Sequence, residues 1–153
     1  MNTARLDIAA SQVSLGLLLS DDLAEVARSA LEAGYDSPSL RMLASLTAAE
    51  ADQAHDMFAR ALAELRIAIP GKRDAVLYLA REIAKGMVNG TVGTAQGAKQ
   101  IWDLSLQIVD ERMPELDTFV YGASEWDDRP EDRHIFEAGI MAAAKALAEN
   151  EAG

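Results

Sequence analysis

The fold is decided by the stretch TAAEADQAHDMFARALAELR, which occupies positions 47–66. Its residues Thr47 and Glu50 have the spacing of a capping box, in which two side chains satisfy free backbone amides at a helix N-terminus. Apolar residues then recur every three or four positions, the spacing that places side chains on one face of an α-helix. They are Ala51, Ala54, Phe58, Ala61, Leu62 and Leu65. The stretch therefore predicts one long amphipathic helix.

The same helical spacing continues on both sides of this stretch, and no segment alternates apolar and polar residues over the length of a strand. Further helices are predicted over positions 3–18, 20–33, 38–46, 72–88 and 94–109, from position 113 and from position 130. The sequence thus predicts an all-α, single-domain bundle of about eight short helices, packed as helix-turn-helix pairs, with no sheet. We expect the domain to cover positions 1–148, and positions 149–153 to form a frayed C-terminal tail.

Capping residues predict where several of these helices begin and end. Ser20, which two aspartates follow, has the character of an N-cap. Gly34 is placed to end that helix, because glycine readily adopts the left-handed backbone that favours helix termination. Ser37 can accept a hydrogen bond from an amide of the next helix, and Pro38 fits its first position, where a missing N–H needs no partner.

The chain carries 25 acidic and 14 basic residues among 153, a formal net charge of −11. Positions 103–153 hold most of this charge, with four basic and thirteen acidic residues and a net charge of −9. A nucleic-acid-binding protein needs a basic face to neutralise phosphates, so we expect no nucleic-acid partner. An acidic surface either is simply solvated or docks a protein with a basic surface.

The residue inventory excludes several classes of active site. The sequence contains no cysteine and two histidines, which excludes disulfides, cysteine-ligated zinc, iron–sulfur clusters and cysteine nucleophiles. The glycine-rich stretch 86–93 lacks the Gly-Lys-Ser/Thr ending of a P-loop. We therefore expect no cofactor and no enzyme activity. Because the aliphatic run 15–19 is too short to span a bilayer and no basic region of a secretory signal precedes it, we also expect a cytoplasmic protein with no membrane partner.

The alternative is a metal-dependent helical enzyme, and it depends on the two histidines. Glu131 and His134 have the i, i+3 spacing found in di-iron helical bundles, and Asp52 and His55 repeat that spacing. Such a site also needs glutamates from two further helices. Without a metal, His134 is expected at the surface, and His55 is expected half-buried at the edge of the core.

The segment best suited to binding a partner is the acidic stretch 125–133, which contains a tryptophan. Tryptophan is enriched at the centres of protein interfaces, and carboxylates speed the approach of a basic partner. We predict a partner-binding site that consists of Trp126, Asp127, Asp128, Glu131 and Asp132. The alternative is that Trp126 folds back and covers the core.

Two stretches, ALEAGYDSPSLRMLA at 30–44 and GAKQIW at 97–102, resemble small bacterial all-helical proteins that have no assigned activity. The resemblance implies a helical fold and no site residue. From inventory and charge, we expect a non-enzymatic, acidic protein-binding module, such as an adaptor or an immunity or antitoxin protein that masks a basic toxin. A third hypothesis is an oligomeric structural protein that associates through the surface around 15–19.

Overall fold

A computed structural model describes residues 3–150, which form eight α-helices and three short 3-10 segments with no strand. The helices are α1 (Thr3–Ser14), α2 (Ser20–Glu32), α3 (Pro38–Ala44), α4 (Ala54–Glu64), α5 (Lys72–Asn89), α6 (Thr94–Ser105), α7 (Asp117–Glu125) and α8 (Arg133–Glu149). The 3-10 segments are Ala48–Gln53, Pro114–Leu116 and Pro130–Asp132. The predicted all-α fold with about eight helices and no sheet is confirmed. No helix in this part of the chain is both long and apolar enough to cross a membrane.

The chain divides into two compact units, residues 1–75 and residues 76–153. In the first unit, α3 packs against both α2 and α4, while α2 also contacts α1 and α4. The core of this unit is made of leucines and small alanines around one phenylalanine. Its largest fully buried side chains are Leu6, Leu23, Leu40, Leu43, Phe58 and Leu62. Burial of each such side chain contributes about 1.5–3 kcal/mol, so this core holds the first unit together. A single domain over positions 1–148 stays a prediction.

In the second unit, α6, α7 and α8 pack against one another. Glycine allows close approach at two of its helix contacts. A Cβ at Gly122 of α7 would lie 2.6 Å from Cδ1 of Ile140 in α8, and a Cβ at Gly97 of α6 would overlap the Met87 side chain of α5. These two glycines therefore set how closely the helices pack, because no larger residue fits without movement of its neighbour.

The predicted capping interactions around α3 are present. The Ser37 hydroxyl accepts a hydrogen bond of 3.1 Å from the Leu40 amide, and Pro38 is the first helical residue. Gly34, which follows α2, has the expected left-handed backbone with a φ of 105°. At the start of the 3-10 segment, the Glu50 carboxylate accepts a hydrogen bond of 3.2 Å from the Thr47 amide, as a capping box requires.

Other predicted helix boundaries were wrong in the first unit. Helix α1 ends at Ser14 rather than near position 18, because Gly16 turns the chain with a φ of 70°. Ser20 is the first residue of α2 and not its N-cap, a position that Leu19 occupies. The long helix predicted over 47–66 is a 3-10 segment followed by α4, which ends at Glu64.

The second unit shows similar differences at its helix ends. Helix α6 ends at Ser105 rather than at position 109. The helices predicted from positions 113 and 130 begin at Asp117 and Arg133 instead, because each is preceded by a 3-10 segment that starts with a proline, Pro114 or Pro130. Proline favours a first helical turn but has no N–H to donate further along, which suits it to these short starts. Of the predicted tail, Glu149 belongs to α8, and positions 151–153 lie outside the described residues.

Candidate functional site

The five residues predicted to bind a partner lie between α7 and α8. Trp126 directly follows α7 and is half-buried. Asp127 and Asp128 are exposed in the turn, while Glu131 is exposed and Asp132 half-buried in the 3-10 segment before α8. The fold therefore brings all five into one short connection on the second unit.

Trp126 is covered by Arg133, which lies in the stretch 125–133 but is not among its five predicted binding residues. The Arg133 guanidinium lies 5.4 Å from the centre of the Trp126 ring, within the range of a cation–π contact. Its Nε also donates a hydrogen bond of 2.7 Å to the Trp126 carbonyl, and its Nη2 lies 3.5 Å from a carboxylate oxygen of Asp127. The Trp126 indole therefore lies near the surface beneath the Arg133 guanidinium, which also contacts Asp127.

A second arginine in the same connection makes a parallel set of contacts. The Arg129 guanidinium lies 5.3 Å from the centre of the Phe136 ring, and its Nε donates a hydrogen bond of 3.0 Å to Asp132. Its Nη1 donates one of 3.1 Å to the Tyr121 hydroxyl. The hydrogen bonds that Arg129 donates to the Asp132 carboxylate, together with the one to Tyr121, raise the pKa of Arg129 above its ordinary value. The arginine is therefore fixed in place while fully charged.

Tyr121 of α7 completes this surface. Its side chain is 53% exposed, and its ring meets the Phe136 ring edge to face, with centroids 5.8 Å apart and an interplanar angle of 81°. We call Tyr121, Trp126, Arg129 and Arg133 the aromatic–arginine corner. Tyr121 was missed by the prediction. Arg129 and Arg133 lie in the predicted stretch 125–133 but were not among its binding residues, although two arginines spaced four residues apart in an acidic run were a visible signal.

The ion pairs change which carboxylates the corner presents to solvent. Asp132 is paired with Arg129, and Asp127 with Arg133. Asp128 and Glu131 are exposed, and neither has an ion pair or hydrogen bond within residues 3–150. These two side chains thus present uncompensated negative charge to solvent, beside Asp127, whose side chain is 93% exposed although it lies 3.5 Å from Arg133.

The residues predicted as metal ligands do not form a site in the described part of the chain. Asp52 and His55 belong to the first unit, whereas Glu131 and His134 belong to the second. Across residues 3–150, no three histidine, aspartate or glutamate side chains are grouped so that they could hold a metal ion. His134 is exposed, as predicted.

The predicted half-burial of His55 was wrong. The side chain is exposed on α4, since the neighbouring positions 54, 57 and 58 are the ones that face the core. Its Nε2 lies 3.2 Å from the carbonyl oxygen of Leu18 and forms a hydrogen bond with it. His55 therefore helps to hold the connection between α1 and α2 against α4.

The aliphatic run between α1 and α2 is only partly buried. Leu15 is buried in the first unit, whereas Leu17 is exposed and Leu19 is 72% exposed. The Leu19 backbone amide donates a hydrogen bond of 2.9 Å to the Asp22 carboxylate, which places Leu19 at the N-cap of α2. The run thus presents two apolar side chains to solvent.

The chain matches no protein-family model, no curated protein and no solved structure. The similarity of stretches 30–44 and 97–102 to small bacterial helical proteins therefore stays a prediction.

Proposed function

We propose that the chain is a non-enzymatic protein-binding module and that the aromatic–arginine corner is its binding surface. One observation carries this proposal: Arg129 and Arg133 each lie over an aromatic ring, and each is held by a hydrogen bond, from Arg129 to the Asp132 carboxylate and from Arg133 to the Trp126 carbonyl. Tryptophan, tyrosine and arginine are the residues that most often dominate the binding energy of protein interfaces. The corner offers all three types at the end of α7 and in the residues that lead into α8.

The fixed geometry of the corner favours tight binding. A long side chain that becomes immobile on binding opposes association by about 0.5–1.5 kcal/mol. Arg129 makes contacts with Asp132, Tyr121 and Phe136 in the free chain, so much of its freedom is already lost. A partner that docks on the corner would order fewer groups than one that docks on unpaired arginines.

The charge around the corner supports a partner with a basic surface. Asp128 and Glu131 lie beside the corner with no internal counter-ion among the described residues, and positions 103–153 carry a net charge of −9. Complementary charge speeds diffusional encounter and disfavours acidic partners. An adaptor, or an immunity or antitoxin protein that masks a basic toxin, would use such a surface.

The proposal is tested by capture of partners from the source cell with matched variants. The wild-type chain, Tyr121→Ala, Trp126→Ala and Met42→Ala are immobilised separately, and Met42 is the control because it is an exposed apolar residue of the first unit. We expect a basic protein that is retained by the wild type and Met42→Ala and lost from both corner variants. The purified partner should then bind the chain in a defined stoichiometry. Equal retention by all four chains, or retention of acidic proteins alone, would overturn the proposal.

A second candidate function is self-association as a structural protein, which the exposure of Leu17 and Leu19 favours. Two neighbouring apolar side chains that are exposed to solvent can form part of an interface between two copies of the chain. Light scattering over a range of concentrations tests this candidate: we expect a dimer or larger assembly that Leu19→Ser converts to monomer. A wild-type monomer at every concentration would rule it out.

A further inference from the structure

The glycine-rich stretch 86–93, which joins α5 to α6, contains an Asn-Gly pair at the surface. Asn89, the last residue of α5, is exposed, and so is Gly90. Gly90 has a φ of 86°, and no atom of a more distant residue lies within 4 Å of the position that a Cβ would occupy there. The pair therefore lies in the open, with no neighbouring side chain over Gly90.

The Asn89 side chain forms an Asx turn over the Gly90 peptide unit. Its Oδ1 accepts a hydrogen bond of 3.0 Å from the Thr91 amide, which closes a small ring that contains both the Asn89 Cγ and the Gly90 nitrogen. The Gly90 nitrogen is weakly held, since its hydrogen bond to the Met87 carbonyl is 3.4 Å long. An electrophilic carbon and a nitrogen able to attack it are thus kept together in one ring.

Two donors converge on the oxygen of that side chain. Besides the Thr91 amide, the Thr91 hydroxyl donates a hydrogen bond of 2.7 Å to the Asn89 Oδ1, whereas its other acceptor, the Gly86 carbonyl, is 3.3 Å away. Negative charge develops on Oδ1 when a nucleophile adds to Cγ. Donors at about 2.7–3.1 Å are the arrangement that stabilises such an oxyanion.

We propose that Asn89 is a site of spontaneous deamidation and that Thr91 accelerates the reaction. The Gly90 nitrogen loses its proton to water and forms a bond to the Asn89 Cγ, while the carbonyl electron pair moves to Oδ1 beneath the two Thr91 donors. Collapse of this intermediate breaks the Cγ–Nδ2 bond, ammonia leaves with a proton from water, and a succinimide remains. Water then opens the succinimide at either carbonyl and gives aspartate or isoaspartate. The proposal is independent of the aromatic–arginine corner.

Both products change the C-terminal end of α5. Each places a carboxylate beside the last carbonyl groups of the helix, which form the negative end of its dipole. Isoaspartate also adds one methylene to the backbone before Gly90, which disrupts the hydrogen bond of 2.9 Å from the Thr91 amide to the Gly86 carbonyl. We therefore expect chains that have reacted to be less stable than chains that have not.

The test incubates the full chain in mildly alkaline buffer and follows both products by chromatography and mass spectrometry of its peptides. We expect product to accumulate at Asn89, with isoaspartate in excess, and far more slowly at Asn150, an exposed asparagine that a glutamate follows. Thr91→Val keeps the amide donor and removes the hydroxyl, so the reaction at Asn89 should slow by roughly threefold to tenfold, the effect of one lost hydrogen bond. Thr91→Ser, which keeps the hydroxyl, should react as the wild type does.

A denatured control separates the effect of the fold from that of the sequence. Urea removes the Asx turn, so the wild type and Thr91→Val should react at the same rate in it. Thr91 is exposed, so both variants should fold, which thermal unfolding checks. If folded Thr91→Val reacted as fast as the wild type or faster, the role of Thr91 would be overturned. A rate at Asn89 no higher than the rate at Asn150 would overturn the site itself.

Discussion

The carboxylate of Glu64 in α4 accepts two hydrogen bonds from Ser39 in the first turn of α3, one of 2.9 Å from the backbone amide and one of 2.7 Å from the hydroxyl. Ser39 is buried, and its amide is one of the N-terminal groups of α3 that have no partner inside the helix. These hydrogen bonds lower the pKa of Glu64 below that of an ordinary glutamate. The contact between α3 and α4 therefore depends on an ionised carboxylate.

This relationship predicts an acid-sensitive contribution to stability. Because the pKa of Glu64 is lower in the folded chain than in the unfolded chain, its contribution is complete above the unfolded value of about 4.3 and is lost as the pH falls through the lowered value. Urea unfolding at several pH values compares the wild type with Glu64→Gln. The variant should be less stable at pH 7, and the difference in free energy of unfolding between the two chains should shrink as the pH falls. Glu32→Gln is the control, and its difference should stay small throughout. A difference for Glu64→Gln that is the same at every pH would contradict the assignment.

We predict that the Tyr35 hydroxyl lowers the stability of the first unit. The side chain is 7% exposed, and its hydroxyl finds no hydrogen-bond partner among residues 3–150. A buried polar group without a partner opposes folding by about 1–3 kcal/mol. Tyr35→Phe should therefore raise the free energy of unfolding by about 1 kcal/mol in urea titrations. Tyr121→Phe, which loses a hydroxyl that accepts from Arg129, should not gain stability. A loss of stability in Tyr35→Phe would show that a buried water satisfies the hydroxyl.

The close approach of α7 and α8 predicts that Gly122→Ala is destabilising. The added Cβ would lie 2.6 Å from Cδ1 of Ile140, which is fully buried. Such overpacking reduces stability by about 1–3 kcal/mol. This loss exceeds the gain expected because alanine has a higher helix propensity than glycine. Thermal or urea unfolding should show this loss, and Ile140→Val in the same chain should recover part of it.

Gly139→Ala is the matched control for this prediction. Gly139 is also helical, but its added Cβ would lie 3.9 Å from Cγ2 of Thr118, an ordinary van der Waals distance. Alanine is better than glycine inside a helix by about 0.5–1 kcal/mol, so Gly139→Ala should raise stability. If both alanine variants gained stability, the packing of α7 on α8 would be looser than the structure shows.

The sequence predicted best those features that depend on neighbouring residues. Gly34, Ser37 and Pro38 act within one turn of their own positions, so their capping chemistry could be predicted without knowledge of the fold. The apolar spacing in the first unit likewise predicted Phe58 and Leu62 as core residues, and both are fully buried. Helix lengths were predicted less well, because Gly16 ends α1 through a backbone angle that spacing alone does not show.

The candidate sites could be predicted only in part, because they depend on contacts across turns. Trp126 was singled out because of its acidic surroundings. Its contact with Arg133, however, joins residues seven positions apart, and a turn and a 3-10 segment lie between them. No local pattern in the sequence records this arrangement.

The aromatic–arginine corner predicts separate kinetic effects for its ring and its carboxylates, measured by biolayer interferometry with the partner identified by capture. Trp126→Ala removes the ring under Arg133. At such a position the binding free energy falls by about 2 kcal/mol, which speeds dissociation roughly 30-fold. The pair Asp128→Asn and Glu131→Gln should instead slow association and flatten its salt dependence, because exposed charges act mainly on encounter and are screened beyond about 8 Å at physiological ionic strength. Because Trp126 is only half-buried, its thermal midpoint should fall by no more than a few degrees. Unfolding of the second unit in Trp126→Ala would show that the ring serves the core and that the corner lacks its anchor.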